Sequence, residues 1–370
     1  MPKRIALSTL SANTIDIMNV IRANGSYNYQ SLVPTVTTEE SIPVVGEVIY
    51  GTPALANEFI NSLMNMIALV RIKSATFNNP YKDLKKGYLE FGETVEEVFV
   101  DLAKVRLFNK ERVDEYEFKR TIPDVKTAFH AINWRVQYPI TIEDEELRMA
   151  FRSIDGVTDL IAKIVDAVYR AAEYDEFLLF KYMLIKGYNK GDIRTSTLSG
   201  ASGVMPTLKA YASEFRGLSN EMLFLTDKYN AYPVMNNTPR ERQKIFMPAR
   251  FNAEFDVEVL ASAFNMDRAN FMGQLKLIDD FTTFDNARFA AIRAESGALE
   301  EVTATELTAM TNVKAMIVDE EWFQVYDNLA RMTEKYAGSG LYWNYFYNTW
   351  KTVSWSPFAN AVAIVGATGA

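Results

Sequence analysis

Few side chains in this sequence have chemical potential. His130 is the one histidine and there is no cysteine. Disulfides, thiolate nucleophiles, Cys-ligated zinc and two-His metal sites are therefore excluded together. Carboxylates, Lys, Tyr, Ser and Thr remain. Two carboxylate clusters stand out, Glu96-Glu97 and Glu143-Asp144-Glu145-Glu146, and paired carboxylates can do acid–base work or hold Mg2+. Acidic residues are also what the first turn of a helix favours, and the second cluster follows a strand-like alternation as a helix start would. Gly87 to Thr94 approaches a phosphate loop, but the position after its second Gly, which requires Lys, is Glu93. His130 sits among alternating apolar neighbours without a second His or Cys to complete a relay, so it reads as structural. The aromatics between Tyr342 and Trp355 could stack bases or sugars. No basic stripe accompanies them, so they read as core and subunit interface. No catalytic, cofactor-binding or metal-ligating residue is assigned, and no cofactor is expected.

The chain has 370 residues, 48% hydrophobic and 23% charged, which is the balance of a globular protein with a real core. Net charge is −8 and the pI is about 5.1, so sequence-specific binding of nucleic acid is not expected. No run reaches the roughly 18 apolar residues a membrane span needs. Lys3 and Arg4 are followed by polar Ser8, Thr9 and Ser11 rather than by an apolar stretch, which predicts a protein made and used without export.

The elements that would position these residues can be read along the chain. A short helix is predicted over 11–25, then an irregular or extended stretch over 26–52 punctuated by Pro34, Pro43 and Pro53. That stretch has little core of its own and must lie on its own domain or on a neighbour. A second helix follows over 54–70, with Phe59, Leu63, Met66 and Val70 on one stripe. Residues 78–120 are poor in core residues and rich in charge of both signs. They suggest a strand pair reaching out and back, or an ordinary solvated hairpin. Trp134, Val136, Tyr138, Ile140 and Ile142 share one face of a long strand over 125–142. Gly156 to Gly187 is the most helical segment, about 45 Å long at 1.5 Å per residue, and reads as a spine. Residues 189–210 look like a loop. From 208 to 318 shorter helices and strands alternate as in an inserted α/β domain, with a helix over 258–264 and buried strands over 275–278 and 315–318. The aromatic stretch 322–363 reads as long strands returning to the first domain.

Three stretches carry a specific resemblance. Asp256-Val257-Glu258-Val259-Leu260-Ala261-Ser262-Ala263-Phe264-Asn265-Met266-Asp267-Arg268 resembles a segment of the major head (capsid) proteins of phi29-like short-tailed phages. So do Val318-Asp319-Glu320-Glu321-Trp322-Phe323-Gln324-Val325-Tyr326-Asp327-Asn328-Leu329 and Gly340-Leu341-Tyr342-Trp343-Asn344-Tyr345, continued by Ser356-Pro357-Phe358-Ala359-Asn360. Weaker echoes, among them Lys85-Lys86-Gly87, Thr94-Val95-Glu96-Glu97 and Phe129-His130, run in the same order from about 15 to 365.

The resemblance implies an α+β, HK97-like tailed-phage capsid fold. It implies an N-terminal arm (1–50), a peripheral domain (51–75 and 125–199) with its spine helix (156–187), an extended E-loop (76–124), an axial domain (200–315) and return strands (316–370). The phi29-like head proteins look longer, with an additional Ig-like domain, and roles of that domain are not carried over. The implied function is a structural, non-enzymatic subunit that self-assembles through pentamers and hexamers into an icosahedral or prolate head. Scaffolding protein and portal would assist in the host cytoplasm. The head would hold double-stranded DNA without sequence specificity and without a membrane. An encapsulin-like nanocompartment shell is the alternative on the same fold. Lys82, Lys85, Lys86, Arg106, Arg112, Asp114 and Glu115 are the expected inter-subunit contacts of the E-loop.

Overall fold

The computed structural model describes residues 14–369 except 75–78, 91–93, 107, 109, 111–116, 118, 152–155, 256–274 and 297. They fall into two compact units. The first takes residues 14–79, 137–176 and 330–348; the second takes 80–136, 177–329 and 349–369.

The first unit is built on short helices: α1 (Thr14–Asn24), α2 (Tyr27–Leu32), α3 (Ser41–Tyr50), α4 (Pro53–Ser74) and α5 (Asp144–Ala150). The irregular reading of 26–52 is corrected here. Ser26 caps α2 by accepting the Tyr29 N–H. Pro43 stands in the first turn of α3, where no intrahelical donor is required of it. Ile42, Val45 and Ile49 then share one face and are buried with Tyr29, Val33 and Val36 in the unit's core. Asn19 clamps the connection, donating to the Val36 carbonyl and accepting its N–H at 2.8 and 3.0 Å. The β-branched residues and prolines that suggested extension are overruled by packing, the usual source of helix stability in proteins. Residues of α1–α3 thus pack within the first unit.

The second unit carries a five-stranded sheet in the order β5 (Arg194–Ser202), β11 (Ala361–Gly369), β8 (Val313–Asp319), β6 (Gln243–Pro248) and β7 (Leu275–Ile278). Pairs β5–β11 and β6–β7 are parallel, and β8 is antiparallel to both neighbours. Six of the seven residues of β8 are buried, because both faces of the sheet are covered. One face packs Phe246, Met316 and Val318 against Phe180, Met183 and Phe289. The other packs Ile245, Ile317 and Ile364 against Tyr211, Phe215 and Leu218 of α7 (Leu208–Glu221). Burial on both faces explains why such strands read as short continuous apolar runs. The loop expected over 189–210 contains β5, whose Ser, Thr and Gly residues hide a strand. β11 also enters this sheet, so only 330–348 of the terminal strands belong to the first unit.

The long helix is α6 (Gly156–Lys190), and its residues divide between the units after Glu176. In the second unit it is pinned by two buried ammonium groups. The Lys181 Nζ lies 2.8 Å from both Asp279 carboxylate oxygens. The Lys186 Nζ donates to a Glu306 oxygen at 2.8 Å and to the Glu301 carbonyl at 2.6 Å. A further sheet runs in the order β1 (Gly87–Tyr88), β9 (Phe323–Ala337), β10 (Tyr342–Trp355) and β4 (Ile132–Glu143). β4 alternates buried and exposed residues as predicted, but the strand expected over 125–142 is two, divided at Ala131: β3 (Val125–His130) turns away to pair with β2 (Val95–Val100). The segments 256–268 and 258–264 singled out in the sequence lie outside the described residues.

Candidate assembly interface

A feature of the second unit that could engage another molecule is the antiparallel pair β2–β3. Its register runs from Val95 opposite His130 to Val100 opposite Val125, and the Asp101 N–H extends the ladder to the Asp124 carbonyl at 2.9 Å. Alternation sorts the two strands into two rows. The inner row, Glu97, Phe99, Lys126, Ala128 and His130, is half-buried or buried. The outer row, Glu96, Val98, Val100, Val125, Thr127 and Phe129, is exposed, with Phe129 at 70%.

The inner row is anchored. The Phe99 ring stacks on Phe358 with centroids 5.7 Å apart. The Lys126 Nζ donates to the Pro233 carbonyl at 2.9 Å and lies over the Tyr232 ring. His130 is 3% exposed; its Nδ1 meets the Ser354 hydroxyl and its Nε2 lies 3.3 Å from a Glu97 carboxylate oxygen. The other Glu97 oxygen accepts from Ser356 at 2.7 Å. With Nε2 protonated the chain of donors is complete: Ser354 donates to Nδ1, Nε2 donates to Glu97, and Ser356 donates to Glu97. His130 thus ties the root of the arm, as a structural histidine.

Beyond the root the arm is apolar as well as charged. Val105 is 95% and Phe108 85% exposed, with Leu102 and Ile122 also open. The charged residues expected at the contact divide differently. Lys82 lies in a 3-10 turn, Lys82–Leu84. Lys85 pairs with Asp327 at 2.6 Å, Lys351 holds the other oxygen of that carboxylate at 2.6 Å, and Lys86 pairs with Glu321 at 2.8 Å. Arg106 bonds Thr121 across the arm. Arg112, Asp114 and Glu115 lie outside the described residues. Residues 80–89 also fail to project: Tyr81 and Leu84 are buried, the Tyr81 hydroxyl donates to the Leu277 carbonyl at 2.6 Å, and β1 pairs with β9. Lys85 and Lys86 are half-buried and paired within their own chain. The signal in the sequence for the two-faced strand pair is the alternation Val95-Glu96-Glu97-Val98-Phe99-Val100.

The other candidate groups are structural. Glu143 stands at the N-cap position of α5; Asp144 accepts from Tyr336, and Glu146 pairs with Lys163. Trp355 stacks flat on Trp322 at 5.6 Å and donates to Asp192 at 2.9 Å, while Trp343, Tyr345 and Tyr347 are core residues of the first unit. Among the described residues no cluster of three His, Cys, Asp or Glu is placed to hold a metal, and no helix is long and apolar enough to cross a membrane.

A family model described as Phi29-like phage major capsid protein matches residues 18–365. The chain belongs to that family. It is similar to the major capsid proteins of Bacillus phage B103 and Bacillus phage PZA, 36% and 33% identical over 352 residues, covering 95% of this chain and 72% of each relative. The major capsid protein of Streptococcus phage Cp-1 is 26% identical over 74% of this chain and 77% of its own. Among solved structures the chain resembles the capsid structure of Staphylococcus phage Andhra (TM-score 0.61, 14% identity, 80% of this chain and 86% of that one). A chain from a structure of bacteriophage P68 titled for its head fiber and inner core protein gp22 gives a TM-score of 0.57 at 13% identity, covering 79% and 87%. The fold is thus that of tailed-phage capsid proteins, HK97-like and mixed α+β. This phage major capsid protein is a virion component that self-assembles into the capsid shell. The relatives give no support to a nanocompartment shell.

Proposed function

We propose that copies of this capsid protein are joined by the arm built on β2 and β3, lying over the adjacent subunit within pentamers and hexamers. The observation that carries this reading is the division of the arm into two faces. The inner row is fixed to its own chain by Phe99, Lys126 and His130, while the outer row and the distal residues Leu102, Val105, Phe108 and Ile122 stand exposed. An apolar surface of this kind is a cost to a soluble monomer and is relieved by association. The arm is the E-loop of the fold, narrowed to 94–130. The sheet of β5, β11, β8, β6 and β7 is the axial element, and the helices α1–α4 with the first half of α6 are peripheral.

The shell encloses double-stranded DNA, and the net charge of −8 on each subunit disfavours tight adhesion to phosphates. Assembly proceeds in the host cytoplasm on a scaffolding protein and portal, and the subunit performs no catalysis. The test replaces residues 102–123 with an Asn-Gly turn, which suits the two-residue closure between Asp101 and Asp124. This variant should fold with an unchanged unfolding transition and sediment as a monomer or small oligomer under conditions where the parent chain forms shells. Shells of normal yield from the deleted chain would overturn the reading.

A further inference from the structure

The sequence contains one Asn-Gly pair, Asn24-Gly25, and it falls at the corner between α1 and α2. Asn-Gly is the dipeptide most prone to spontaneous deamidation, because glycine offers its backbone nitrogen with no side chain to obstruct it. Both residues are nevertheless required by the fold. Asn24 ends α1, and its side-chain amide donates to the Val20 carbonyl at 3.0 Å. A Cβ at position 25 would stand 2.9 Å from the ring of Tyr29, which is buried in the core of the first unit. Asn24 is exposed to water, yet the reacting groups are engaged elsewhere. The Gly25 N–H donates to the Arg22 carbonyl at 3.2 Å, and the Asn24 amide is turned back to Val20. Three clamps hold the corner in this geometry. Arg22 donates to the Val33 and Gln30 carbonyls at 2.6 and 3.0 Å. The Gln30 amide donates to the Gly25 carbonyl at 3.0 Å. Glu58 accepts from the Ser26 N–H at 2.5 Å and from its hydroxyl at 2.9 Å.

We infer that Asn24 is a site of covalent modification by deamidation, which the fold holds closed and which opens when the α1–α2 corner opens. In the reaction the Gly25 nitrogen loses its proton to a solvent base and bonds to the carbonyl carbon of the Asn24 side chain. The bond from that carbon to the side-chain nitrogen breaks, and ammonia leaves. The succinimide so formed takes up one water at either of its carbonyls and gives aspartate or isoaspartate at position 24. Water is the sole co-reactant, and nothing is oxidised or reduced. The rate in the folded chain is the rate of the open chain multiplied by the fraction of time the corner is open. Closing the corner does not reverse the product. Aspartate places a negative charge in the last turn of α1, where the helix dipole disfavours it, two residues from Ser26 and its Glu58 carboxylate. Isoaspartate lengthens the backbone by one carbon inside the span that Arg22 and Gln30 clamp. A chain that stays open at this corner is thus permanently marked, while a closed chain keeps its asparagine.

The test incubates the full chain at mildly alkaline pH, in buffer and in guanidinium chloride at matched ionic strength. Aspartate and isoaspartate at position 24 are then counted by peptide mapping. In denaturant the products should accumulate at this position, and Asn24→Gln should abolish them. In buffer the parent chain should form them about tenfold more slowly or slower still, since each product requires a local opening. Glu58→Ala and Arg22→Ala each remove a clamp and should raise the rate in buffer by about threefold or more, with the chain still folded by circular dichroism. Absence of product at position 24 in denaturant would overturn the site. Equal rates in buffer and denaturant would overturn its closure by the fold. Unchanged rates in both clamp variants would overturn the corner as the gate. Should a clamp variant fail to fold, the parent chain in buffer and in denaturant still decides between a closed and an open site.

Discussion

The Phe99 ring of β2 stacks on Phe358 at 5.7 Å, and this aromatic pair joins Lys126 and His130 in anchoring the inner row of a strand pair whose outer row is open. Phe358 is buried and Phe99 half-buried, so the pair closes the arm's root over the turn after β10. Phe99→Ala should cost about 1–2 kcal/mol, less than the ~3–5 of a fully buried Phe. Chemical denaturation checks the stability. Faster amide exchange confined to 95–100 and 125–130 would show that the root has loosened.

Asp327 accepts from both Lys85 and Lys351 at 2.6 Å. Both ammonium groups are largely covered by the chain and have this carboxylate between them. Asp327→Ala should cost about 2 kcal/mol, because it strands two partly desolvated cations, and Lys85→Ala should cost less. The difference in denaturation midpoint between the two variants reads this directly. Equal costs would mean that Lys351 does not depend on the carboxylate.

Gly46 lies in the middle of α3, where Ala would ordinarily add up to about 1 kcal/mol of helix stability. A Cβ there would stand 2.5 Å from the Cβ of Phe151. Gly46→Ala should therefore destabilise by about 1–3 kcal/mol through overpacking. A stabilised variant in thermal unfolding would contradict the packing of residues 41–50 on their own unit.

Glu306 closes a capping box with Thr303 and pairs with Lys186. Burial works against its carboxylate, but hydrogen bonds from Lys186 and Thr303 and the Lys186 charge outweigh it and hold the carboxyl below its usual range. A depressed folded pKa gives stability that is present above the unfolded value and lost as the pH falls through the folded one. Glu306→Gln should therefore be destabilised near neutral pH by about 1–2 kcal/mol. The gap to the parent chain should shrink below about pH 4, where the unfolded carboxyl titrates. Unfolding curves at pH 7 and pH 3.5 check both statements.

Elements with a strong period were legible in the sequence. α6 and α4 showed their stripes, β4 its alternation, and β7 and β8 their short apolar runs. What was missed has a physical reason in each case. α2 and α3 are made of residues with poor helix propensity and are held by Tyr29, Ile42, Val45 and Ile49 packing inward, a tertiary effect that local preference opposes. β5 is written in Ser, Thr and Gly and becomes a strand by pairing with β11. At the candidate interface, Lys85 and Lys86 looked like contact residues because charge suggested solvent. Their partners, Asp327 and Glu321, lie more than two hundred residues away in sequence and could not be anticipated. The arm's own exposed residues, Val98, Val105, Phe108 and Phe129, were not singled out, since apolar side chains give no sign in a sequence of which face they will occupy.

Electron microscopy of purified particles shows whether the arm joins one copy to the next. The parent chain and the chain with 102–123 replaced by an Asn-Gly turn would be produced in parallel, each with a scaffolding protein, and imaged at equal concentration. Closed shells are expected from the first, with the density of residues 102–122 lying over the neighbouring subunit, and only unassembled subunits from the second. Closed shells of equal yield from both, or arm density that contacts no other copy, would contradict this expectation.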